Sequence, residues 1–258
     1  MTQVNELLTF LREAVTPFHA VQAMSRRLAD AGFEAVESFD PDTMVPGSGY
    51  FMIRQGSSLI ALRAGQGEIE QGLRLVGAHT DSPNLSVKPN PVVGRGGCVQ
   101  LGVDVYGGAL LNPWFDRDLA LAGRVTVLNA QGQLESVLFD SGTAVAVVPS
   151  LAIHLDRDAN KQRSINPQKD VVPLVMLGHP DTLDFKVWLA KQLVEQDSTR
   201  EGLRVMDFEL SLYDTQSPGL VGMDQSFIAS ARLDNLLSCY AGFTALIEEI
   251  DADWSMLV

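Results

Sequence analysis

The feature of the sequence that most constrains its fold is a change of residue pattern near position 89. Before it, two helix-like stretches are followed by three short apolar strands, which is typical of an α/β layer. From 89 to 149 the chain instead consists of short strands separated by glycine, which is typical of an antiparallel or barrel-like unit. A helix and an apolar strand return after about residue 230. The sequence therefore predicts an α/β domain (1–88 and 230–258) interrupted by a β-rich insertion (89–229).

Hydrophobic spacing locates the individual elements. Apolar residues at three- and four-residue intervals predict helices, and alternating or continuous short apolar runs predict strands. The predicted helices lie at about 1–14, 20–31, 182–195 and 236–250, and the predicted strands at 50–54, 58–63, 73–78, 99–106, 124–128, 134–140, 144–148, 208–212 and 254–258. No turn follows the strand Trp254 to Val258, so we expect its edge and faces to be left unpaired and the α/β domain to be incomplete.

Charge restricts the partners of the chain. Its 258 residues include 32 acidic and 19 basic ones, a net charge of −13. Such a chain repels phosphate backbones and anionic lipid, which argues against nucleic-acid and membrane partners. It has no apolar run of about 18 residues and no basic start, so we expect neither a transmembrane helix nor a signal peptide. Cys98 and Cys239 form no CxxC and are expected to be buried thiols in a reducing compartment.

A histidine and a carboxylate follow the predicted strand 73–78. His79 and Asp81 are two residues apart, a spacing that puts both side chains on the same side of an extended backbone. The carboxylate can then ligate a metal beside the histidine or hold the imidazole ring in orientation. A structural hydrogen-bonded pair is the alternative. The carboxyl end of a strand is also where α/β folds place ligands.

A second carboxylate precedes the predicted helix near the end of the chain. Asp234 could bridge two cations, because each of its oxygens can bind one metal. The alternative is an ordinary helix N-cap.

Two further segments hold candidate binding residues. Trp114 to Asp118 is a cluster of aromatic and charged residues, in which Asp116 would contribute to a substrate wall and Arg117 would clamp a carboxylate. A local ion pair in a loop is the alternative. His154 has apolar neighbours on both sides, which is typical of a histidine in a core or an interface.

In this order, the motifs resemble the aspartyl aminopeptidase family of zinc peptidases. The resemblance extends over essentially the whole chain, and four motifs in the same order make it specific. The matching stretches are Gly77 to Pro83, Trp114 to Leu119, Leu151 to Leu155 and Ala231 to Leu236.

The resemblance implies a mixed-sheet zinc-peptidase domain interrupted by a dimerisation domain, in agreement with the change of pattern along the chain. It also implies two Zn²⁺ ions per complete active site and assembly through dimers into tetrahedral twelve-subunit particles. The implied activity is the removal of N-terminal Asp or Glu residues from peptides in the cytoplasm.

The resemblance assigns roles to individual residues. His79 would be a zinc ligand, Asp81 the carboxylate that orients the catalytic site, and Asp234 the ligand that bridges both ions. His154 would reach across the dimer into the partner's substrate site. The family's Glu–Glu pair, which includes the general base, and its remaining ligands are expected after Val258, so we expect this chain alone to be inactive.

Two other functions fit parts of the sequence. One is another di-metal amidohydrolase, such as a deacylase, and the other is a non-catalytic assembly subunit that uses only the insertion. For the leading hypothesis, the net charge of −13 means that acidic substrates need local cations. Arg117 and Arg232 are the candidates in this chain.

Overall fold

A computed structural model describes residues 3–40, 42–67, 69, 72–248 and 254–258. The helices are α1 (Gln3–Glu13), α2 (Pro17–Asp30), α3 (Phe185–Gln196) and α4 (Leu233–Glu248). The strands are β1 (Glu34–Ala35), β2 (Gly49–Arg54), β3 (Ser58–Arg63), β4 (Leu73–Val76), β5 (Asn84–Arg95), β6 (Cys98–Tyr106), β7 (Leu119–Leu128), β8 (Leu134–Asp140), β9 (Leu174–Leu177), β10 (Arg204–Asp214), β11 (Gly219–Val221), β12 (Phe227–Ala229) and β13 (Trp254–Leu257).

The chain divides into two compact units. The first combines residues 1–82 and 217–258, and the second comprises residues 83–216. The boundaries expected at 88/89 and 229/230 fall within β5 and at the end of β12. The assignment of these units to a proteolytic and a dimerisation domain stays a prediction. Within the described ranges, no helix is both long enough and apolar enough to cross a membrane.

The first unit contains a mixed five-stranded sheet in the order β1-β2-β3-β13-β4. Strand β13 pairs antiparallel with β3 and parallel with β4. Trp254 and Leu257 are only 7% and 3% exposed. The expectation that this last strand would have an unpaired edge is therefore wrong. On this side of the sheet the edge strand is β4, in which Leu75 is 61% exposed, because β13 is inserted between β4 and β3.

Helices α2 and α4 pack on this sheet, and α1 packs against both of these helices. Helix α2 begins where the Thr16 side chain accepts a hydrogen bond from the His19 N–H, with Pro17 in the first turn. Phe10 of α1 packs edge-on against Phe243 of α4, with ring centroids 5.3 Å apart. The expected helix 236–250 corresponds to α4, and the end of that prediction lies outside the described residues.

Two arginines stabilise helix ends in this unit. The Arg63 guanidinium donates to the carbonyls of Leu246, at 3.1 Å, and of Ile247, at 3.2 Å, in the last turns of α4. Arg232 donates to the carbonyls of Ala14, at 3.1 Å, and of Leu11, at 3.3 Å, at the end of α1. A cation at these positions satisfies carbonyls that have no helical partner and opposes the helix dipole.

The second unit is built on an antiparallel six-stranded sheet, in the order β8-β7-β10-β5-β6-β9. Helix α3 packs on it through the buried residues Phe185, Leu189 and Leu193. The prediction of a β-rich insertion is consistent with this sheet.

Several elements of this unit differ from the pattern-based prediction. Strand β5 was missed because prolines at 89 and 91 interrupt its alternation, and its register with β6 shifts between Val87 and Val92. Strand β7 begins at Leu119, not at 124, because five consecutive buried residues hide its alternation. Residues 146–148 form isolated bridges instead of the expected strand 144–148.

Gly123 lies where β7 and β10 approach most closely. A Cβ atom there would be 2.0 Å from the Glu209 carbonyl oxygen. We expect Gly123→Ala to lower the free energy of unfolding by about 3 kcal/mol, because two paired backbones must separate. Urea unfolding of the purified protein measures the change. At Gly108 a Cβ meets nothing within 4 Å, so Gly108→Ala is the control, and equal destabilisation by both variants would contradict the prediction.

Candidate metal centre

The candidate centre begins where β4 ends. Beyond the strand, the Val258 N–H donates to the Val76 carbonyl, and the Ala78 N–H donates to the Val258 carbonyl, both at 2.9 Å. This parallel pairing holds the backbone straight as far as residue 78. His79 is therefore the first residue to leave the sheet, at the carboxyl ends of two parallel strands.

The His79 ring lies between two carboxylates. Its Nδ1 is 3.0 Å from the Asp81 carbonyl oxygen and 3.3 Å from Asp81 Oδ1. Its Nε2 is 3.4 Å from Asp234 Oδ1. When Nδ1 carries the proton and donates it to Asp81, the Nε2 lone pair faces Asp234 and is available to a cation between the two side chains.

The spacing of Nε2 and Oδ1 fits a shared zinc ion. Tetrahedral zinc, with bonds of about 2.1 Å to nitrogen and oxygen, holds its ligand atoms about 3.4 Å apart. The observed separation is 3.4 Å. The Asp234 side chain is 90% exposed, which leaves its other oxygen accessible to a second cation. Within the described parts of the chain, the candidate centre included, no group of three or more histidine, cysteine or carboxylate side chains is arranged to hold a metal.

Asp234 is held outside the regular helix. Asp234 (φ −86°, ψ 106°) and Asn235 both have non-helical backbone angles, and the peptide bond between them is cis. Ser82 Oγ donates to the Asp234 carbonyl at 3.0 Å. The side chain of Asp234 contacts His79, whereas no first-turn N–H of α4 donates to it among the described residues. The contact of its side chain with His79 favours a ligand over the N-cap alternative.

Three side chains of α4 and the preceding turn were not singled out from the sequence. Asn235 Oδ1 accepts the His79 N–H at 3.2 Å, and its Nδ2 donates to Ser238 Oγ at 3.1 Å. Cys239 Sγ donates to the His79 carbonyl at 3.2 Å. No local spacing in the sequence indicates these contacts, because Asn235 and Cys239 bind a residue 156 and 160 positions earlier in the chain.

Cys239 is a positioning group rather than a reactive one. Burial and, secondarily, the negative charge of Asp81 raise the pKa of its thiol to about 11. The thiol therefore keeps its proton and can donate it in a hydrogen bond to the His79 carbonyl.

Cys98 is only half-buried, so the expectation of two buried thiols is wrong for Cys98. Its strand β6 lies next to the short edge strand β9, which leaves it partly exposed.

The other sequence-predicted residues belong to the second unit. Arg117, with its side chain 44% exposed, lies 3.5 Å from Asp214 Oδ2 and donates to Gln216 Oε1 at 2.8 Å. Asp116 accepts the Ser150 N–H at 2.8 Å. Hydrogen bonds from the Ser150 backbone and side chain, with the nearby charge of Arg163, hold the pKa of Asp116 below its usual value. His154 lies in an exposed turn.

The fold and the site define a class: α/β proteins that place a histidine and carboxylates at the carboxyl ends of sheet strands, where such folds bind ligands. The chain belongs to the Aminopeptidase I zinc metalloprotease (M18) family, whose model matches residues 10–256.

Similar proteins agree with this membership. A protein of Ectopseudomonas mendocina named "Probable M18 family aminopeptidase 2" is 51% identical over 258 residues, which are 99% of this chain and 59% of the relative. A cryo-EM structure of an Ape4 and Nbr1 complex contains a chain that is 32% identical, with a TM-score of 0.90, and the match covers 99% of this chain and 53% of that chain. The S. cerevesiae mApe1 dodecamer, 23% identical, has the same fold with a TM-score of 0.78, over 98% of this chain and 59% of that chain. The chain thus spans about three-fifths of the length of the curated relative.

Cys98 and Cys239 should differ sharply in reactivity. A thiol with a pKa of about 11 is about one part in a thousand thiolate at pH 8, and only the thiolate reacts with iodoacetamide. We expect a short pulse at pH 8 to alkylate Cys98 at least about tenfold more than Cys239, as measured by peptide mass spectrometry. In guanidinium the two should react equally. Equal alkylation of the native protein would contradict the assigned burial and pKa.

Proposed function

We propose that this chain contributes the His79–Asp234 ligand pair to a zinc aminopeptidase that removes N-terminal Asp or Glu residues from peptides. The observation that carries the proposal is the 3.4 Å separation of His79 Nε2 and Asp234 Oδ1, in a ring whose other nitrogen Asp81 holds. Family membership supports the reaction class.

Each residue of the centre has a distinct role in this proposal. His79 would hold a metal through its Nε2, and Asp81 would keep the ring in the tautomer and orientation that this requires. Asp234 would be the bridging ligand, because one of its oxygens faces His79 and its side chain is 90% exposed. Bound zinc would polarise the scissile carbonyl and lower the pKa of a water toward about 7.

The direction of β13 supports the position of the remaining groups. Because β13 and β4 are parallel, their carboxyl ends lie at the same edge of the sheet, beside His79. The resemblance expects a Glu–Glu pair directly after this strand, which would bring the general base to that edge. Because the described residues bring only the His79–Asp234 pair together as ligands, we propose that residues 1–258 are inactive by themselves.

Acidic specificity requires a cation near the substrate. The Arg232 guanidinium already donates to the carbonyls of Leu11 and Ala14 at the end of α1. Arg117 keeps a guanidinium that is 44% exposed, although Asp214 and Gln216 share it. Of the two candidates, we therefore propose Arg117 for the carboxylate of the substrate.

Assembly is the second part of the proposal. We infer that the second unit carries the dimer contact and that His154 acts at a partner's substrate site. The exposed apolar residues Leu151, Ile153 and Leu155 flank His154, as expected for a surface that a partner covers. A related protein of the same fold, mApe1, is a dodecamer, and we propose the same assembly here.

His79→Ala should remove at least one zinc ion per subunit from the full-length protein, because the mutation deletes a ligand. Metal analysis after dialysis measures the loss. The matched control is His179→Ala, because His179 also has a carboxylate two residues later, with Nδ1 3.1 Å from Asp181 Oδ2. Full zinc retention and undiminished activity in His79→Ala would refute the assignment.

Residues 1–258 expressed alone should hydrolyse no aspartyl-amide substrate, because the resemblance places the general base after residue 258. A chain extended through the segments that its relatives contain should gain both zinc and activity. A soluble, active, two-zinc protein of 258 residues would overturn the expected position of the base. Hydrolysis of N-acyl substrates alone by the extended chain would favour a deacylase, and a zinc-free assembly would favour a non-catalytic subunit.

A further inference from the structure

Residues 150–163 of the second unit form an exposed loop whose two ends are attached to the same short segment, residues 112–116. At the start of the loop, the Asp116 N–H donates to the Val148 carbonyl at 2.9 Å. Asp116 Oδ1 then accepts the Ser150 N–H at 2.8 Å. Phe115 and Val148 also pair as a parallel bridge. The backbone is therefore fixed up to the first residue of the loop.

The far end of the loop returns to the same segment. The Arg163 guanidinium lies over the Phe115 ring, 3.7 Å from its centroid. Its Nη1 donates to Asn112 Oδ1 at 3.5 Å. Phe115 is buried in the core of the unit, and Trp114 packs against that core. Residues 112–116, which hold both ends of the loop, therefore form a rigid support.

His154 lies in the distal part of this loop. The Leu155 N–H donates to the Ala152 carbonyl at 2.8 Å, which makes a turn that includes His154. Since the side chains on either side of His154 are exposed, the orientation of His154 depends on how residues 112–116 hold the loop.

Asp116 is suited to this attachment. Its φ is +60°, a backbone conformation that Asp and Asn adopt more readily than most residues. Its carboxylate makes a charge-assisted hydrogen bond to the Ser150 N–H, which is stronger than a neutral one. The Asp116 side chain thus faces the loop. Its contacts with the loop explain why an aspartate stands at this position of the Trp114 to Asp118 motif, without requiring contact with a substrate.

We propose that Asp116 is a positioning residue that fixes the His154 loop, in place of the substrate contact predicted from the sequence. The functional part rests on the proposed function, because it assumes that His154 acts at a substrate site. A histidine held in one orientation before substrate arrives avoids the entropic cost of ordering the loop at each binding event.

Hydrogen exchange tests the attachment independently of activity. In the full-length protein, Asp116→Gly removes the carboxylate without straining the positive φ, and Asp116→Asn keeps a neutral acceptor. We expect exchange over residues 150–155 to accelerate at least about tenfold in the glycine variant and less in the asparagine variant. Asp118→Asn, two residues along the same motif, is the control and should leave this exchange unchanged. Unchanged exchange in Asp116→Gly would overturn the proposal.

A double-mutant cycle tests the link to His154. We expect kcat/KM for an aspartyl substrate to fall about tenfold to a hundredfold in Asp116→Gly, and not to fall further when His154→Ala is already present. Additive losses would overturn the positioning role, because Asp116 would then act without His154. If the wild-type protein cleaves no free-amine substrate, the proposed function fails, while the exchange result still decides whether Asp116 fixes the loop.

Discussion

The pairing of β13 between β3 and β4 is the contact on which the first unit depends. It joins the last described strand to two strands from the start of the chain, across the whole second unit in sequence. Its parallel register with β4 continues past both strands through Val258 and Ala78, so that residue 79 leaves the sheet at a defined point. The same chain segment, through α4, brings Asp234 to His79. One long-range pairing thus closes the sheet and assembles the centre.

Helix-end electrostatics secure the arrangement. Arg232 donates to the last carbonyls of α1 and lies two residues before Asp234, so the turn that carries the carboxylate is attached to a different helix. Arg63 does the same for the end of α4 and also lies over the Phe33 ring, 4.8 Å from its centroid. These cations satisfy carbonyls that would otherwise lack partners. In the sequence, Arg232 is a candidate to bind a substrate carboxylate. In the folded chain, its guanidinium already donates to backbone carbonyls.

Two copies of the same short pattern show how little a local motif decides. His79 and Asp81, and His179 and Asp181, are both histidine–carboxylate pairs two residues apart, with Nδ1 to Oδ distances of 3.3 and 3.1 Å. The second pair lies on an exposed turn of the second unit. Only His79 has a further carboxylate at its other ring nitrogen, and that carboxylate comes from a distant part of the chain. A metal centre needs this convergence, which no short motif contains.

The sequence by itself predicted the elements that depend on local patterns. Strands β3 and β8 match their predicted bounds, because alternation and flanking turn residues are properties of neighbouring positions. The motifs also identified His79, Asp81 and Asp234 as candidates. Only the tertiary structure decided that β13 is internal, that β5 continues through its prolines, and that Asn235 and Cys239 hold the backbone of His79. These features depend on hydrogen bonds and burial between residues far apart in the chain, and such contacts leave no periodic signal in the sequence.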